Sequence, residues 1–525
     1  MVVRARNGST RRAPWMFLLP AALVGVATVI PLCYLVLQAL DAEGEALREI
    51  LWRRRNLVLF WNTLRLVVGV LVFAAIIAFP LAWLTARSSL PGRRFITLVA
   101  VLPLAVPGYV MAYALLGLGG NYGALAQWTG WTIPRPSGYW GAVFSIGLYT
   151  FPYLFLNLRS ALLGMDPAQE DAARSLGAGP GETFFRVTLP QLRPAILAGS
   201  LIIGLYVLGD FGAVALMRFE TFSQAIYTQY ALAYDAIYAS WLALLLLVFT
   251  ATILIMEARL LRRTLLHKVG SGNRGKLGLV RLGTWGVPAW IFIGLVFVAS
   301  VLIPVATIVS WLVQYPEGVH WGPAWQALGD SLTASVPAAL LAGALALPIA
   351  YLGVRYPARR TRVLERSAYL AYATPPLALA LAFTLFTDRF LPGLYQTLPL
   401  LVGVCALRYL AESVGPVRSA LYQASPRLEE AARTLGCTPF IAFFRVIFPL
   451  VFKGLAVGTA LVFLSVMKEL PITFLLSPLG FDTLALNVWN FANEAMYAEA
   501  APHALLLLFI SLLFVGLLLF REKST

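Results

Sequence analysis

The chain is poor in the residues that form disulfide bonds and metal sites. Of its 525 residues only three are Cys and three are His. Cys33, Cys405 and Cys437 form no CxxC pair, so the sequence does not indicate a disulfide framework. The histidines are scattered along the chain, which excludes a His-based metal cluster. Selectivity for a metal would therefore need carboxylates or a separate protein.

Charged residues are also scarce. They make up 12% of the chain against 60% hydrophobic residues, and the mean hydropathy is +0.79. This composition lies outside the range of soluble proteins, and apolar stretches long enough to cross about 30 Å of hydrocarbon occur about twelve times. We therefore expect an all-α membrane protein with about 12 transmembrane helices. We place them near residues 15–40, 58–86, 95–118, 139–158, 195–219, 239–261, 285–313, 331–354, 367–386, 395–413, 454–477 and 503–520.

The basic residues predict the orientation of these spans. The net charge is +16, and most Lys and Arg residues fall in alternate connections between the predicted spans, as expected for cytoplasmic loops. Both termini are therefore predicted to be cytoplasmic, and the first apolar segment is predicted to be a retained anchor. Arg53, Arg54 and Arg55 depart from the pattern: they form an outer docking surface or mark a misplaced span boundary. The positive charge is mainly a topology signal and does not call for nucleic acid.

A segment of 33 residues occurs twice. Residues 158–190 read LRSALLGMDPAQEDAARSLGAGPGETFFRVTLP and residues 417–449 read VRSALYQASPRLEEAARTLGCTPFIAFFRVIFP, with 17 identities and no gap. Each copy predicts a short helix with small side chains, a Gly turn, and a Phe-Phe-Arg patch before the next span. A solvated amphipathic loop is the alternative for one copy, but two copies favour a docking element. The shared positions are Asp171, Ala172, Ala173, Gly177 and Pro190, and Glu430, Ala431, Ala432, Gly436 and Pro449.

The duplication extends beyond this segment. Residues 62–87 align without gaps with residues 330–355. We predict a first half of six helices at 1–261, a cytoplasmic linker at 262–283, and a second half of six helices at 284–525. Because an even number of spans precedes the linker, both halves have the same orientation, with a pseudo-twofold axis along the membrane normal. The linker sequence at 270–277 lacks the Ser or Thr of a phosphate-binding loop, so energy is expected from another polypeptide.

An acidic residue lies deep in the fifth predicted span of each half. Asp210 and Glu469 are 259 residues apart, like the duplicated segment, and Gly212 and Pro471 predict a helix break beside them. A carboxylate at this depth is typical of a translocation pathway or gate. The alternative is an acid held in an interhelical hydrogen bond, or a local pair between Glu469 and Lys468. We assign Asp210, Glu469, Lys468, Gly212 and Pro471 to the pathway or gate.

A Phe-acid-Thr sequence follows each break. It comprises Phe219, Glu220 and Thr221 in the first half and Phe481, Asp482 and Thr483 in the second. We predict that Glu220, Thr221, Asp482 and Thr483 form an outer mouth where a donor protein meets the chain. Polar loops with interfacial aromatic residues are an equally good interpretation of each residue taken alone.

The duplicated segments resemble the EAA motif of bacterial ABC importer permeases. Together with GDFGAVALMRFETFSQAIYTQY at 209–230 and MKELPITFLLSPLGFDTLALNVW at 467–489, they make the whole chain similar to the ferric-iron permeases of that group. The resemblance implies two tandem six-helix halves of a type I importer in the bacterial inner membrane. Asp171 departs from the family pattern, which has Glu at this position and would give a slightly stronger contact.

The resemblance also implies partners. A periplasmic binding protein would deliver ferric ion, and a cytoplasmic ATPase dimer, which holds ATP and Mg²⁺, would dock on the two EAA loops. This chain would be a non-enzymatic transport subunit without a cofactor, surrounded by lipid, and Asp210 and Glu469 are the candidates for transient contact with the metal-ion cargo. Fused thiamine permeases share the layout, and polyamine or phosphonate permeases share the EAA loop, so these cargoes stay open as alternatives. A secondary transporter is a distant alternative, because it would need coupling-ion sites but not duplicated EAA loops. A channel is equally distant, because it would need a polar pore lining that these apolar spans do not show.

Overall fold

The computed structural model describes residues 14–41, 48, 53–264 and 279–522. Almost all of this part of the chain is helical, and a short extended pairing joins Ser88 to Val280. Most of the predicted linker lies outside the described residues, and so does the sequence at 270–277 that is similar to a phosphate-binding loop.

The first half of the chain contains twelve α-helices among its described residues. In chain order they are α1 (Trp15–Leu40), α2 (Arg54–Arg87), α3 (Arg93–Val101), α4 (Gly108–Leu118), α5 (Ala124–Thr129), α6 (Gly138–Leu163), α7 (Pro167–Ser175), α8 (Pro180–Thr183), α9 (Leu189–Gly209), α10 (Gly212–Leu216), α11 (Phe222–Tyr227) and α12 (Ala236–Thr264).

Described residues of the second half give twelve further helices in a closely similar order. They are α13 (Gly286–Phe297), α14 (Ile303–Gln314), α15 (Trp321–Arg355), α16 (Arg359–Ala373), α17 (Pro376–Phe390), α18 (Leu398–Gln423), α19 (Pro426–Thr434), α20 (Pro439–Ala442), α21 (Phe448–Met467), α22 (Pro471–Leu476), α23 (Leu484–Asn493) and α24 (Tyr497–Glu522).

The number of membrane spans agrees with the sequence. Within the described ranges, 10 helices are long and apolar enough to cross a bilayer, or up to 12 if each of two bent pairs forms one span. The predicted spans at 95–118 and 367–386 are these bent pairs, with bends of 93° and 105°. Pro107 precedes α4 and Pro375 precedes α17. Because proline has no backbone N–H and restricts the residue before it, the helix breaks at these positions.

The fifth span of each half also breaks, as the sequence predicted. Helix α9 ends at Gly209 and α21 ends at Met467, so the predicted spans at 195–219 and 454–477 extend too far. Gly212 and Pro471 are the first residues of the short helices that follow. Asp210 and Glu469 therefore lie just past the end of a helix and not in its interior. The last four backbone carbonyls of such a helix end lack helical partners.

The chain folds into two compact units that do not follow chain order. One contains the described residues of 1–42 together with 325–486 and 516–522, and the other contains those of 43–324 and 487–515. In the first unit α1 packs against α16 and α17, which come from the second half. In the second unit α14 packs against α4, which comes from the first half. The first span of each half thus packs against the bent pair of the other half.

Candidate functional site: EAA loops and helix breaks

Each of the two EAA loops, residues 158–190 and 417–449, contains a short helix that follows a long span. Asp166 caps α7 by accepting a hydrogen bond from the Ala168 amide at 3.0 Å, and Ser425 caps α19 by accepting one from the Arg427 amide at 3.4 Å. In both loops proline is the first helical residue, a position where its missing N–H costs nothing. The same local chemistry therefore starts both helices.

Gly177 and Gly436 end these helices. Their φ angles are +89° and +88°, in the left-handed region that glycine adopts without strain. The Gly177 amide bonds to the Arg174 carbonyl and the Ala178 amide to the Ala173 carbonyl, which is a Schellman ending. The second loop repeats both hydrogen bonds. The short helix and the Gly turn predicted for each copy are therefore present.

Most of the EAA motif residues face outward. Asp171, Ala172, Glu430 and Ala431 are exposed, Ala173 is half-buried and Ala432 is buried. Pro190 lies half-buried in α9, and Pro449 is exposed in α21. Leu176 and Leu435, the residues before the two glycines, are 89% and 85% exposed. The short helix of each loop thus ends in an exposed apolar side chain that the rest of the chain does not cover, which suits a surface that another protein covers.

The acidic residue before Asp171 in the first loop, Glu170, has a different role. Glu170 pairs with Arg87, the last residue of α2, at 2.9 Å. The Thr188 hydroxyl also donates a hydrogen bond to the Glu170 carboxylate at 3.0 Å. Arg87 is 6% exposed, so this ion pair is largely buried. It fastens α7 to the end of a membrane span.

The second loop has the equivalent attachment. Glu429 is 6% exposed and lies 3.8 Å from the guanidinium of Arg355, the last residue of α15. The Tyr351 hydroxyl donates a hydrogen bond to Glu429 at 2.7 Å, and Arg433 pairs with it at 2.5 Å. The hydrogen bond to the Tyr356 hydroxyl, with help from Glu429, raises the pKa of Arg433 against the opposing effect of burial. Arg433 therefore stays charged.

Sequence reasoning passed over these anchoring residues although signals for them exist. Glu170 and Glu429 are identical positions of the 33-residue repeat, and Arg87 and Arg355 are the last aligned residues of the other repeat, 62–87 with 330–355. The structure brings the two repeated patterns together, and each Arg meets the Glu of its own half.

The first helix break is built around Asp210. Its carboxylate accepts hydrogen bonds from the Tyr149 hydroxyl at 3.1 Å and from the amides of Ala213 and Val214 at 2.9 and 3.3 Å. The last two amides belong to the first turn of α10, so Asp210 caps that helix. Gly108 lies against it: a Cβ there would be 2.7 Å from Asp210 Oδ2. The interhelical hydrogen bond named above as the alternative interpretation of Asp210 is therefore present.

The second break repeats this arrangement with more charge around it. Glu469 is 4% exposed and accepts hydrogen bonds from the Tyr409 hydroxyl and from the Ile472 amide, the latter at 3.0 Å. Arg408, next to Tyr409 on α18, donates to the carbonyls of Ala371 and Tyr372 at the end of α16. One helix therefore holds both breaks of its half.

Two further ionisable residues lie at this second break. Glu412 accepts a hydrogen bond from the Ser465 hydroxyl at 2.7 Å. Glu412 interacts electrostatically with Lys468, and Arg408 interacts with both Glu412 and Glu469. We call Arg408, Glu412, Lys468 and Glu469 the charge cluster. Its formal charges balance, two against two, and its members Arg408 and Glu412 were not among the predicted site residues.

The Phe-acid-Thr loops are tied to the same long helices, near the ends opposite the EAA loops. Asn62 on α2 donates a hydrogen bond to the Glu220 carbonyl at 3.1 Å, and the Phe222 amide donates to Thr63 at 3.3 Å. In the second half the Asp482 amide donates to Asp330 on α15 at 3.3 Å, and the Leu484 amide donates to Ser331 at 2.9 Å. Glu220 is exposed, whereas Thr221 and Thr483 are buried.

The three arginines that departed from the charge pattern lie near this end of α2. Arg55 is within 3.7 Å of the Glu220 carboxylate, and the Arg53 guanidinium lies over the Tyr238 ring, 4.8 Å from its centroid. Their part of the chain is therefore joined to the first Phe-acid-Thr loop. Within the described ranges no group of three or more His, Cys, Asp and Glu residues is placed to hold a metal ion.

The chain has two membrane-spanning halves. Each half has an EAA loop attached to a long span and a carboxylate at a broken helix, an arrangement that indicates a transport permease. The chain belongs to the family described as "Binding-protein-dependent transport system inner membrane component", whose pattern it matches twice, over residues 78–265 and 335–521.

Individual relatives agree on this class and differ in what they carry. The "Fe(3+)-transport system permease protein FbpB 2" of Haemophilus influenzae is 30% identical over 519 residues, which cover 98% of this chain and 99% of the relative. The "Molybdenum transport system permease protein ModB" of Escherichia coli is 35% identical, over 29% of this chain and 69% of its own. The "Sulfate transport system permease protein CysW" of Synechocystis is 34% identical, over 26% and 50%.

Proposed function

We propose that this chain is the permease subunit of an ATP-driven type I importer for ferric iron, with both EAA loops and both termini in the cytoplasm. The observation that carries the proposal is the duplicated EAA loop, which has a side-chain cap, a glycine turn and a buried Arg–Glu pair at equivalent positions in each half. Two equivalent docking elements in one chain suit a dimeric partner, because each element meets one subunit of a symmetric pair.

The partner on the EAA side is a separate ATPase dimer, which binds ATP and Mg²⁺. The exposed Leu176 and Leu435 are the apolar anchors of this contact, and Asp171 and Glu430 are exposed charges beside them. A substrate-binding protein docks at the opposite end, on the Phe-acid-Thr loops. The chain itself performs no covalent chemistry: it converts a movement at the EAA loops into a rearrangement of its broken helices.

Ferric iron is favoured over an oxyanion cargo by the extent of similarity. The Fe(3+) permease relative covers 98% of the chain, including both halves, whereas the molybdenum permease ModB matches 29% of it and sulfate permeases match 26% to 43% of it. Carboxylates at both helix breaks suit a cationic cargo. Their hydrogen bonds show that Asp210 and Glu469 also hold the breaks together, so their contact with the cargo stays a prediction.

Reconstitution tests this function. The chain is placed in liposomes with the ATPase and the binding protein encoded beside it, and ATP-dependent uptake of Fe³⁺, molybdate, sulfate and thiamine is measured in parallel. We expect uptake of Fe³⁺ only, and none without the ATPase. Uptake of one of the other solutes would replace the cargo while keeping the permease, and concentrative uptake without the ATPase would refute the ABC mechanism.

The docking part of the proposal has its own test. Gly177→Val with Gly436→Val forces a β-branched residue into a positive φ, a strain of about 1–3 kcal/mol per site, and deforms both turns. We expect the ATPase to be lost on copurification while the permease still elutes as a folded protein. Gly204→Ala, a helical position of α9 at which an added Cβ meets nothing within 4 Å, is the control. Full retention of the ATPase by the double variant would contradict docking at these loops.

A further inference from the structure

The second span of each half is attached at both of its ends. Helix α2 holds the first Phe-acid-Thr loop through Asn62 and Thr63, and it holds the first EAA loop through Arg87. A single covalent element therefore joins the two functional surfaces.

Helix α15 reproduces this attachment in the second half. Asp330 and Ser331 hold the second Phe-acid-Thr loop, and Arg355 holds the second EAA loop. The attachments lie at matching positions of the repeat: Thr63 and Ser331 each precede their Arg by 24 residues, since 87 − 63 = 24 and 355 − 331 = 24. That separation corresponds to about 36 Å of helix, slightly more than the hydrocarbon thickness of about 30 Å.

The ion pairs at the EAA ends differ from ordinary surface pairs. Arg87 and Glu170 have side chains that are 7% and 13% exposed, and those of Arg355 and Glu429 are 10% and 8% exposed. The same first loop contains a surface pair, Glu182 with Arg186, in which the side chains are 45% and 79% exposed. Buried pairs resist separation, because each partner alone would leave an uncompensated charge. Surface pairs are worth little.

We propose that α2 and α15 are the transmission elements of the transporter, and that Glu170 and Glu429 are the positioning residues that lock the EAA loops to them. Binding of the donor protein at the Phe-acid-Thr loops would move these helices, and the buried ion pairs would carry the movement to the ATPase. Asp171 and Glu430, one residue further on and exposed, then face the ATPase, so adjacent acids serve different faces of the same short helix. This inference rests on the proposed function.

The test measures communication across the membrane rather than docking. Glu170→Gln with Glu429→Gln keeps the side-chain shape and removes the ion pair of Glu170 with Arg87 and those of Glu429 with Arg355 and Arg433. In the complex with ATPase and binding protein, we expect the ATPase to copurify and to keep its basal rate. Stimulation of ATP hydrolysis by the binding protein should fall by about fivefold or more, the lower range for coupling between two sites, and uptake should fall with it. Glu182→Gln, which breaks the surface pair of the same loop, should change neither.

A second pair of substitutions tests the opposite ends of the same helices. Thr63→Val with Ser331→Ala removes the side-chain acceptors for the Phe222 and Leu484 amides, and we expect the same loss of stimulation with the same basal rate. This arm also decides the matter if the Gln variants do not fold.

Three results would be decisive in the other direction. Wild-type stimulation in both double variants overturns the transmission role of these helices. Loss of the ATPase on copurification from the Gln variants makes Glu170 and Glu429 docking residues instead of positioning residues. If the unsubstituted complex shows no stimulation by the binding protein, the proposed function itself fails, and the two failures are thereby distinguished.

Discussion

The two helix breaks have the same backbone plan and different chemistry. At the first break Asp210 is held by a tyrosine hydroxyl and by backbone amides, and the side chains nearby are aromatic: Tyr206 lies 6.4 Å from Tyr149 and 4.8 Å from Tyr153, measured between ring centroids. At the second break Glu469 has the same kind of partners but lies in the charge cluster. Duplication has thus preserved the geometry of a broken span while the surroundings of the carboxylate have diverged.

The divergence follows from what each half must satisfy. Arg408 donates to the last carbonyls of α16, which the 105° bend leaves without helical partners, and so a cation stabilises that bend. Arg408 is half-buried, and Glu412 and Glu469 supply negative charges that interact with it. Tyr149 and Arg408 are 259 residues apart, which is the offset between the two EAA loops, so they occupy equivalent positions of the repeat. The first half therefore needs no equivalent of Glu412.

The largest effect is expected from Arg408→Met. It leaves the carbonyls of Ala371 and Tyr372 without this donor, at about 1–3 kcal/mol for each buried group left unsatisfied, and it leaves the carboxylates of the charge cluster in excess. We expect a clearly lower melting temperature of the purified chain in detergent. Arg418→Met is the control. Arg418 lies on α18 like Arg408 and pairs with Glu365 of α16, but its side chain is 40% exposed, so a loss of about 1 kcal/mol or less is expected. Equal losses in the two variants would remove the special role of the charge cluster.

A smaller effect should separate the two carboxylates themselves. Glu469→Gln leaves the charge cluster with one excess positive charge, so we expect a loss of about 1–3 kcal/mol. Asp210→Asn removes a charge that no cation of its surroundings compensates in the structure described, and it should change stability little. Melting temperature and uptake are measured on one preparation of each. If both variants retain full uptake, the assignment of these residues to the pathway or gate is wrong, and they serve helix packing alone.

Much of this arrangement could be predicted from the sequence. The repeats identified the two halves and both EAA loops, because a gapless identity pattern does not depend on tertiary packing. The long apolar stretches indicated about 12 spans. The positive φ at Gly177 and the breaks beside Gly212 and Pro471 were predictable from backbone chemistry that acts over a few residues.

What could not be predicted depends on contacts between distant segments. Arg87 and Glu170 are 83 residues apart, and each resembles an ordinary residue at the end of a span until the fold brings them together. Hydropathy likewise treats a bent pair as one continuous span, since the 93° and 105° bends leave the composition unchanged. The packing of α1 against α16 and α17 also has no local signal, because an apolar helix fits many neighbours.

The smallest effect is expected where the two breaks are most alike. Tyr149→Phe and Tyr409→Phe each delete one hydroxyl that donates to the carboxylate of its break, and nothing else. Asp210 keeps two hydrogen bonds from backbone amides of the following short helix and Glu469 keeps one, so a net loss of about 1 kcal/mol is expected from either substitution. Because the same hydrogen bond is lost in both halves, the difference between the halves should disappear here, although it is large for Arg408 and Glu469. The measurement is the melting temperature of the two single variants against Tyr153→Phe, which removes a hydroxyl from the same helix as Tyr149 without touching Asp210. A markedly larger loss for Tyr409→Phe would show that its hydroxyl also organises the charge cluster, and the two breaks would then differ in geometry as well as in charge.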